Sequence, residues 1–150
     1  ELEPSIWKFA RTRPANFPTE RLLQFAGLIS QSSHLFSKVL ECETISELKK
    51  LYKIKLEYRG KKIAIGESSV YLLLINSVLP FVFLFGKQQH KENFADKALQ
   101  WYEQLPAEKN MITKQFTSLR LSAKYAADGQ AYIQLKNEYC SSLKSCESTG

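Results

Sequence analysis

From Val70 to Phe85 almost every position is apolar, and no other stretch of the chain is so uniformly so. A membrane-spanning helix needs about 20 such residues in a row. This run is shorter, is broken by Asn76, Ser77 and Pro80, and has no basic cluster immediately before it. A helix that is apolar all round belongs inside a bundle, so Glu67 to Lys87 reads as the central core helix and not as a span. Ser68 or Ser69 is placed to cap its start, and Gly86 suits the left-handed residue just past its end. Pro80 brings no N–H, so in an α-helix the carbonyl of Asn76 loses its partner. An orphan carbonyl and the Asn76 amide then fall at one depth, where buried polar groups need partners. A satisfied kink that fixes the packing of neighbouring helices is favoured over a polar pocket.

Shorter periodic segments surround this centre. Residues 3–12 read as a short helix, and RTRPANFP as a stiff connector, because Pro14 disfavours helix at Arg13. Between Thr19 and Ser30, Leu22, Phe25, Ala26 and Ile29 share one helical face, which is expected to point inward. Residues 33–41 give another helix with Leu35, Phe36, Val39 and Leu40 inward. Thr44 followed by Glu47 is a capping box that opens the next. In residues 53–65, Ile54, Leu56 and Tyr58 alternate with polar positions, as do Ile63 and Ile65, and Arg59-Gly60 can turn between them. A small hairpin and an irregular basic loop fit this segment equally well. Phe94, Ala98, Trp101, Tyr102 and Leu105 form a clear stripe, with Pro106 closing that helix or opening the next. Met111, Ile112, Phe116 and Leu119 carry a further helix. Asp128 is placed to cap a last one, with Tyr132, Leu135, Tyr139 and Leu143 inward, before a frayed tail. The pattern predicts an all-α fold: a compact multi-helix bundle around a central kinked apolar helix, possible hairpin included, in a single domain over residues 1–150.

Size and charge add little to this. One hundred and fifty residues with 44% hydrophobic content support a real core. The net charge of +6 favours acidic partners such as nucleic acid, though it is also an ordinary solubility charge. The three cysteines, Cys42, Cys140 and Cys146, are too few and odd in number for a disulfide scaffold and fit a reducing, cytoplasmic compartment. No signal peptide is visible. The chain opens at Glu1, already in helix-like sequence, from which a fragment of a longer polypeptide is expected.

Candidate chemistry is sparse. Arg11, Arg13 and Arg21 flank the double-proline connector and could hold phosphate or carboxylate. Pairing with Glu3 or Glu20 explains them as simply. Lys53, Lys55, Arg59, Lys61 and Lys62, with Tyr52 and Tyr58 between them, make the densest basic patch, a composition suited to single-stranded nucleic acid or to a plain solvated face. His34 and His90 lack a second ligand nearby, and Cys140 and Cys146 lack a second pair, so no metal or cofactor is expected. Asn76, with Glu108 or Asn110, is the candidate for a buried polar site, although capping explains the latter two. Lys136, Asn137 and Glu138 form a polar cluster on the last helix. No nucleophile–base pair, phosphate loop or paired-carboxylate motif is present, so the chain by itself is not expected to be an enzyme.

Four segments together resemble an uncharacterised bacterial family known only as a domain of unknown function: WKFARTRPANFPTERLLQFAGLI, AIGESSVYLLLINSVLPFVFLFG, ALQWYEQLPAEKNMI and DGQAYIQLKNEYC. Their order and spacing agree along almost the whole chain. The resemblance implies that this chain is the C-terminal helical half of a longer protein whose N-terminal half is similar to restriction-endonuclease-like nucleases. The catalytic carboxylates would then lie outside this chain. Two departures stand out. Thr149 occupies the place of a third tail cysteine, which puts a metal or redox role of the tail in doubt, and Gly129 follows Asp128 where the family has serine.

The leading expectation is therefore a helical accessory domain of a nuclease-like protein. It packs against the N-terminal half of the same polypeptide and faces nucleic acid with a basic surface through Arg11, Arg13, Arg21 and Lys136. The alternative is a non-enzymatic protein-interaction or self-association module, which predicts an exposed apolar face. No membrane partner is expected.

Overall fold

A computed structural model describes residues 18–141, without the side chains of 18, 61, 140 and 141. The expected first helix, the connector up to Phe17, Arg11, Arg13 and Cys146 lie outside these residues. The described chain is all-α with one small hairpin, and contacts divide it into two compact units, Glu1–Leu73 and Leu74–Gly150.

The first unit holds α1 (Pro18–Gln31), α2 (Leu35–Glu41), α3 (Ile45–Leu51), β1 (Lys55–Tyr58), β2 (Lys61–Ala64) and α4 (Glu67–Leu73). The segment that fitted both hairpin and loop is a hairpin. Tyr58 pairs with Lys61, leaving a two-residue turn in which Arg59 and Gly60 both have positive φ, 50° and 73°. That is the backbone whose twist matches antiparallel strands, and glycine adopts it without steric cost. Leu56 and Ile63 face each other on the inner side, while Lys55, Glu57 and Lys62 lie on the outer one. The capping box forms as expected: Glu47 N–H donates to Thr44 Oγ1 at 3.2 Å and Thr44 N–H to the Glu47 carboxylate at 3.4 Å.

The face of α1 is opposite to the one expected. Leu22, Phe25, Ala26 and Ile29 are exposed, and Gln24, Gly27 and Leu28 are buried. The hairpin selects this face. Gln24 Nε2 donates to the Ala64 carbonyl at 3.0 Å, and Gln31 Nε2 donates to the Lys55 carbonyl at 3.0 Å. A Cβ on Gly27 would stand 3.2 Å from Ile54 Cδ1, so a larger residue would hold the helix away. Phe36 on α2 is exposed as well, and Val39 carries that helix into the core. Ser68 and Ser69 are not caps. The helix begins at Glu67, the Gly66 carbonyl accepts from Ser69 and Val70, and Ser69 Oγ accepts from Arg21.

The second unit begins with a π-helical segment, Leu74–Val78, and continues as α5 (Leu79–Gln88), α6 (Glu92–Gln104), α7 (Met111–Ser118), α8 (Ala126–Leu135) and a second π-segment, Lys136–Ser141. Glu67–Gln88 is thus one helical run of 22 residues, long and apolar enough to cross a membrane, with 39% of its most apolar window buried. Its buried positions are Val70, Leu74, Ile75, Val78, Leu79, Val82 and Gly86, while Leu72, Phe81 and Leu84 are exposed. The kink takes the form of the π-segment just ahead of Pro80.

Gly86 does not end this helix. It is buried inside α5, where a Cβ would stand 2.5 Å from the backbone nitrogen of Ala95. The absence of a side chain lets α6 close on α5, with Ala95 and Ala98 as the small partners on the other side. The left-handed residue is His90, φ 53°. Its N–H donates to Lys87 and that of Lys91 to Gly86 at 2.8 Å, a Schellman closure. Trp101 and Leu105 bury the inner face of α6. Residues 105–107 then pair with 124–126: Ala126 N–H donates to Leu105 at 2.8 Å and Ala107 N–H to Lys124 at 3.1 Å. Stacking of Phe116 on Tyr132, ring centroids 4.3 Å apart, ties α7 to α8. Leu135 and Tyr139, expected inward, are exposed, as are Met111 and Leu119. Asp128 does cap α8, but from inside it: the helix starts at Ala126, and the Asp128 carboxylate accepts the N–H groups of Lys124 and Tyr125 at 2.8 and 2.9 Å. Those two bonds hold its pKa below the ordinary value.

Gly86→Ala should destabilise the protein by about 3 kcal/mol through overpacking against backbone. Gly66→Ala, where a Cβ meets open space, should change stability by less than about 1 kcal/mol. Urea denaturation of the two variants checks both.

Candidate functional site

In a π-segment the carbonyl of residue i accepts from the N–H of residue i+5. The residue five beyond Ile75 is Pro80, which has no N–H. The register shift therefore moves the orphan carbonyl from Asn76, where α-geometry would put it, to Ile75. Ile75 is buried, so its carbonyl cannot turn to water. Tyr102 on α6 supplies the missing donor, its hydroxyl reaching the Ile75 carbonyl at 2.7 Å. Burial pushes the Tyr102 phenol up to about 12, which keeps the proton on the donor.

Tyr102 and Pro80 also form one wall of an open groove of about 680 Å³ in the second unit. Phe83, Leu99 and Ile133 extend its apolar floor. Along the α8 side stand Gln130, Gln134, Asn137 and Glu138. Gln134 Nε2 donates to the Glu138 carboxylate at 2.9 Å, so rim and acid are held together. Asn137 and Glu138 belong to the second π-segment. The second π-segment therefore borders this groove, and the first is tied to its wall by the Tyr102–Ile75 bond. π-segments recur where a helix is locally widened for function.

The structure disperses the residues expected to form sites. Arg21 belongs to the first unit and is turned inward: Nη1 donates to Gln24 Oε1 at 2.9 Å and Nη2 to Ser69 Oγ at 3.2 Å. These two bonds clasp α1 to α4. Lys136 points away from the groove, donating to Gln115 Oε1 at 2.7 Å. Asn76, the candidate for a buried polar site, is exposed, and the carbonyl left without a helical donor is one residue earlier, at Ile75. Asn110 caps α7, its Oδ1 accepting from Thr113 N–H at 2.9 Å. Glu108 contributes its carbonyl to Thr113 Oγ1 at 2.8 Å and lines a separate recess of about 300 Å³ with Lys109, Lys114 and Lys124. Among the described residues no group of three or more His, Cys, Asp or Glu could hold a metal ion. Cys42 is buried, with its thiol directed at the Lys38 carbonyl.

The basic patch is real but diluted. Lys55 and Lys62 lie exposed on the outer face of the hairpin, with Glu57 directly opposite Lys62. Arg59 covers the Tyr58 ring at the tip, 5.3 Å from its centroid, and Lys53 pairs with Glu67 at 3.2 Å.

Reading the sequence missed Tyr102, Gln130 and Gln134 as site residues. Gln130, Gln134, Asn137 and Glu138 recur at helical spacing, a signal present in the sequence but indistinguishable there from a solvated face. A family model described as "Protein of unknown function (DUF2851)" matches residues 1–111. Neither a curated protein nor a solved structure matches the chain.

Tyr102→Phe leaves the Ile75 carbonyl buried without a donor and should cost about 1–3 kcal/mol in urea denaturation. The phenol pKa is raised on folding from 10.0 to about 12. Below pH 10 both states are protonated and the stabilisation is complete. Between pH 10 and 12 the unfolded state loses its proton first, so stability must fall as pH rises. Tyr52, also buried and pushed up to about 12, acts in the same window. Stability measured across that window should decline less steeply in Tyr102→Phe than in the wild type.

Proposed function

We propose, for a chain that belongs to the DUF2851 family of proteins of unknown function, that it is a helical docking module with its docking face on α1. The observation that carries this reading is the stripe Leu22, Phe25 and Ile29, which stands 48%, 59% and 53% exposed at helical spacing. Three large apolar side chains in one row, with Ala26 between them, make the kind of patch that marks a protein interface. The helix has already committed its other face to the hairpin, through Gln24 and Gly27, so the stripe is left for a partner.

The resemblance to longer family members supplies the occupant: a nuclease-like N-terminal half of the same polypeptide. In that arrangement the catalytic groups belong to the partner half and the helical module steadies it. The reading places the module in the cytoplasm, supported by the low, odd cysteine count. The long apolar helix fits as a core element in it, supported by its seven buried positions.

A second reading adds nucleic acid, and the hairpin favours it. Lys55, Lys62 and Arg59 project from its outer face and tip with Tyr58, whereas Arg21 and Lys136 are engaged internally. Contacts of this kind act on phosphates, giving salt-sensitive binding with little sequence preference.

A Phe25→Glu, Ile29→Glu double variant separates the two. It should keep the melting temperature, because both side chains are exposed, and lose association with a separately expressed N-terminal half in light scattering. Unchanged association would remove the docking reading. Lys55→Glu with Lys62→Glu should abolish low-salt fluorescence anisotropy of a short labelled DNA; no wild-type signal at low salt would remove the nucleic-acid reading.

A further inference from the structure

We propose that the recess bordered by Lys109, Lys114 and Lys124 is a binding site for the terminal phosphate of a phosphate monoester. The inference rests on neither the α1 docking face nor the hairpin, and on nothing in the larger groove.

The recess lies within the second unit, and its backbone is held firmly. Ala107 N–H donates to the Lys124 carbonyl at 3.1 Å and Ala126 N–H to the Leu105 carbonyl at 2.8 Å, which fixes residues 105–107 and 124–126 as one short antiparallel pair. The Asp128 carboxylate accepts the Lys124 N–H at 2.8 Å. α7 supplies another wall through Thr113, Lys114 and Thr117, and its start is already capped by Asn110. Binding thus has side chains to order and little backbone, which lowers its entropic cost. The volume of about 300 Å³ stands at the small end of the range of ligand sites.

Charge sets the class of ligand. The three lysines come from three places in the chain: the loop before α7, α7 itself and the loop before α8. Among the described residues none of the three forms an ion pair. Lys124 instead lies over the uncharged ring of Tyr125, 4.9 Å from its centroid. Glu108 lines the same recess, so three positive charges meet one negative, a net of +2. Like charges gathered in this way repel one another, and a dianion relieves that repulsion.

The donors narrow the class further. The Thr113 hydroxyl is committed to the Glu108 carbonyl and the Thr117 hydroxyl to the Thr113 carbonyl, each at 2.8 Å. The side-chain donors left to a ligand are therefore the three ammonium groups. A terminal phosphate offers three unesterified oxygens to them. A diester, as in a nucleic-acid backbone, offers two and carries a single negative charge. An ammonium is a compact point charge that imposes little orientation, so the site selects by charge more than by shape.

The test follows amide shifts of the whole chain by NMR during titration with inorganic phosphate at low ionic strength. Saturable shifts are expected at Thr113, Lys114 and Ala123. Lys109→Gln and Lys114→Gln should each bind phosphate about fivefold more weakly, with the melting temperature unchanged because both side chains are exposed. Arg120→Gln removes an exposed cation that does not line the recess and should bind like the wild type. Two further arms identify the carrier. Tighter binding of glycerol 2-phosphate than of inorganic phosphate supports a soluble ester. Sedimentation with phosphatidylcholine vesicles containing phosphatidic acid, lost in Lys114→Gln, supports a lipid headgroup. Three results would overturn the proposal: no saturable shift at millimolar phosphate, the same shifts with chloride at matched ionic strength, or an equal loss in Arg120→Gln. The last would make the attraction a diffuse effect of net charge.

Discussion

The second unit depends on one hydrogen bond, from the Tyr102 hydroxyl to the Ile75 carbonyl. Proline inside a helix removes a donor, and a buried carbonyl left without one is costly. Two responses are open to a chain: bend until water reaches the carbonyl, or bring in a donor from elsewhere. Here the helix first widens into a π-turn, which places the orphan group at Ile75, on the buried side. A tyrosine from the next helix then reaches it. Satisfying the carbonyl therefore requires α6 to lie close along α5. Gly86 permits that closeness, because no Cβ intervenes between it and the Ala95 backbone. Proline, tyrosine and glycine act as one device: the first creates a need, the second meets it, and the third sets the distance at which it can be met.

The groove follows from the same device. Once Tyr102 is tethered inward, its ring and Pro80 present a fixed apolar wall, and α8 with its π-segment supplies the facing amides. In the first unit a different economy holds. α1 is fastened by polar groups, Gln24 and Gln31, to carbonyls of a two-stranded hairpin that would otherwise expose its edges. A helix held in this way keeps its apolar stripe outside.

Much of the fold was legible in the sequence, and the losses have physical causes. Helix existence followed from periodicity, and the Thr44–Glu47 box from its spacing. The all-α class, with a hairpin left open at 53–65, holds among the described residues. Face assignment failed on α1, because periodicity says which residues share a side and nothing about which side finds a partner. That choice was made by Gly27 and Gln24, whose roles appear only once the hairpin is in place. Gly86 was misjudged because glycine serves both helix ends and close approaches, and His90 accepted the left-handed conformation instead. The candidate site was barely legible. Asn76 drew notice as the polar residue of an apolar run, yet the π-register shifts the orphan carbonyl by one residue, and Asn76 is exposed. Tyr102 looked like one more position of an apolar stripe, since a partner 27 residues away leaves no local trace.

A double-mutant cycle on Tyr102→Phe and Pro80→Ala in urea denaturation tests the central claim most directly. If Tyr102 serves the carbonyl that Pro80 orphans, restoring an N–H at position 80 makes the tyrosine hydroxyl largely dispensable. The loss caused by Tyr102→Phe should then shrink in the Pro80→Ala background, with a coupling energy of about 1 kcal/mol or more. Equal losses in the two backgrounds would contradict the account, because the hydroxyl would then contribute without reference to the proline.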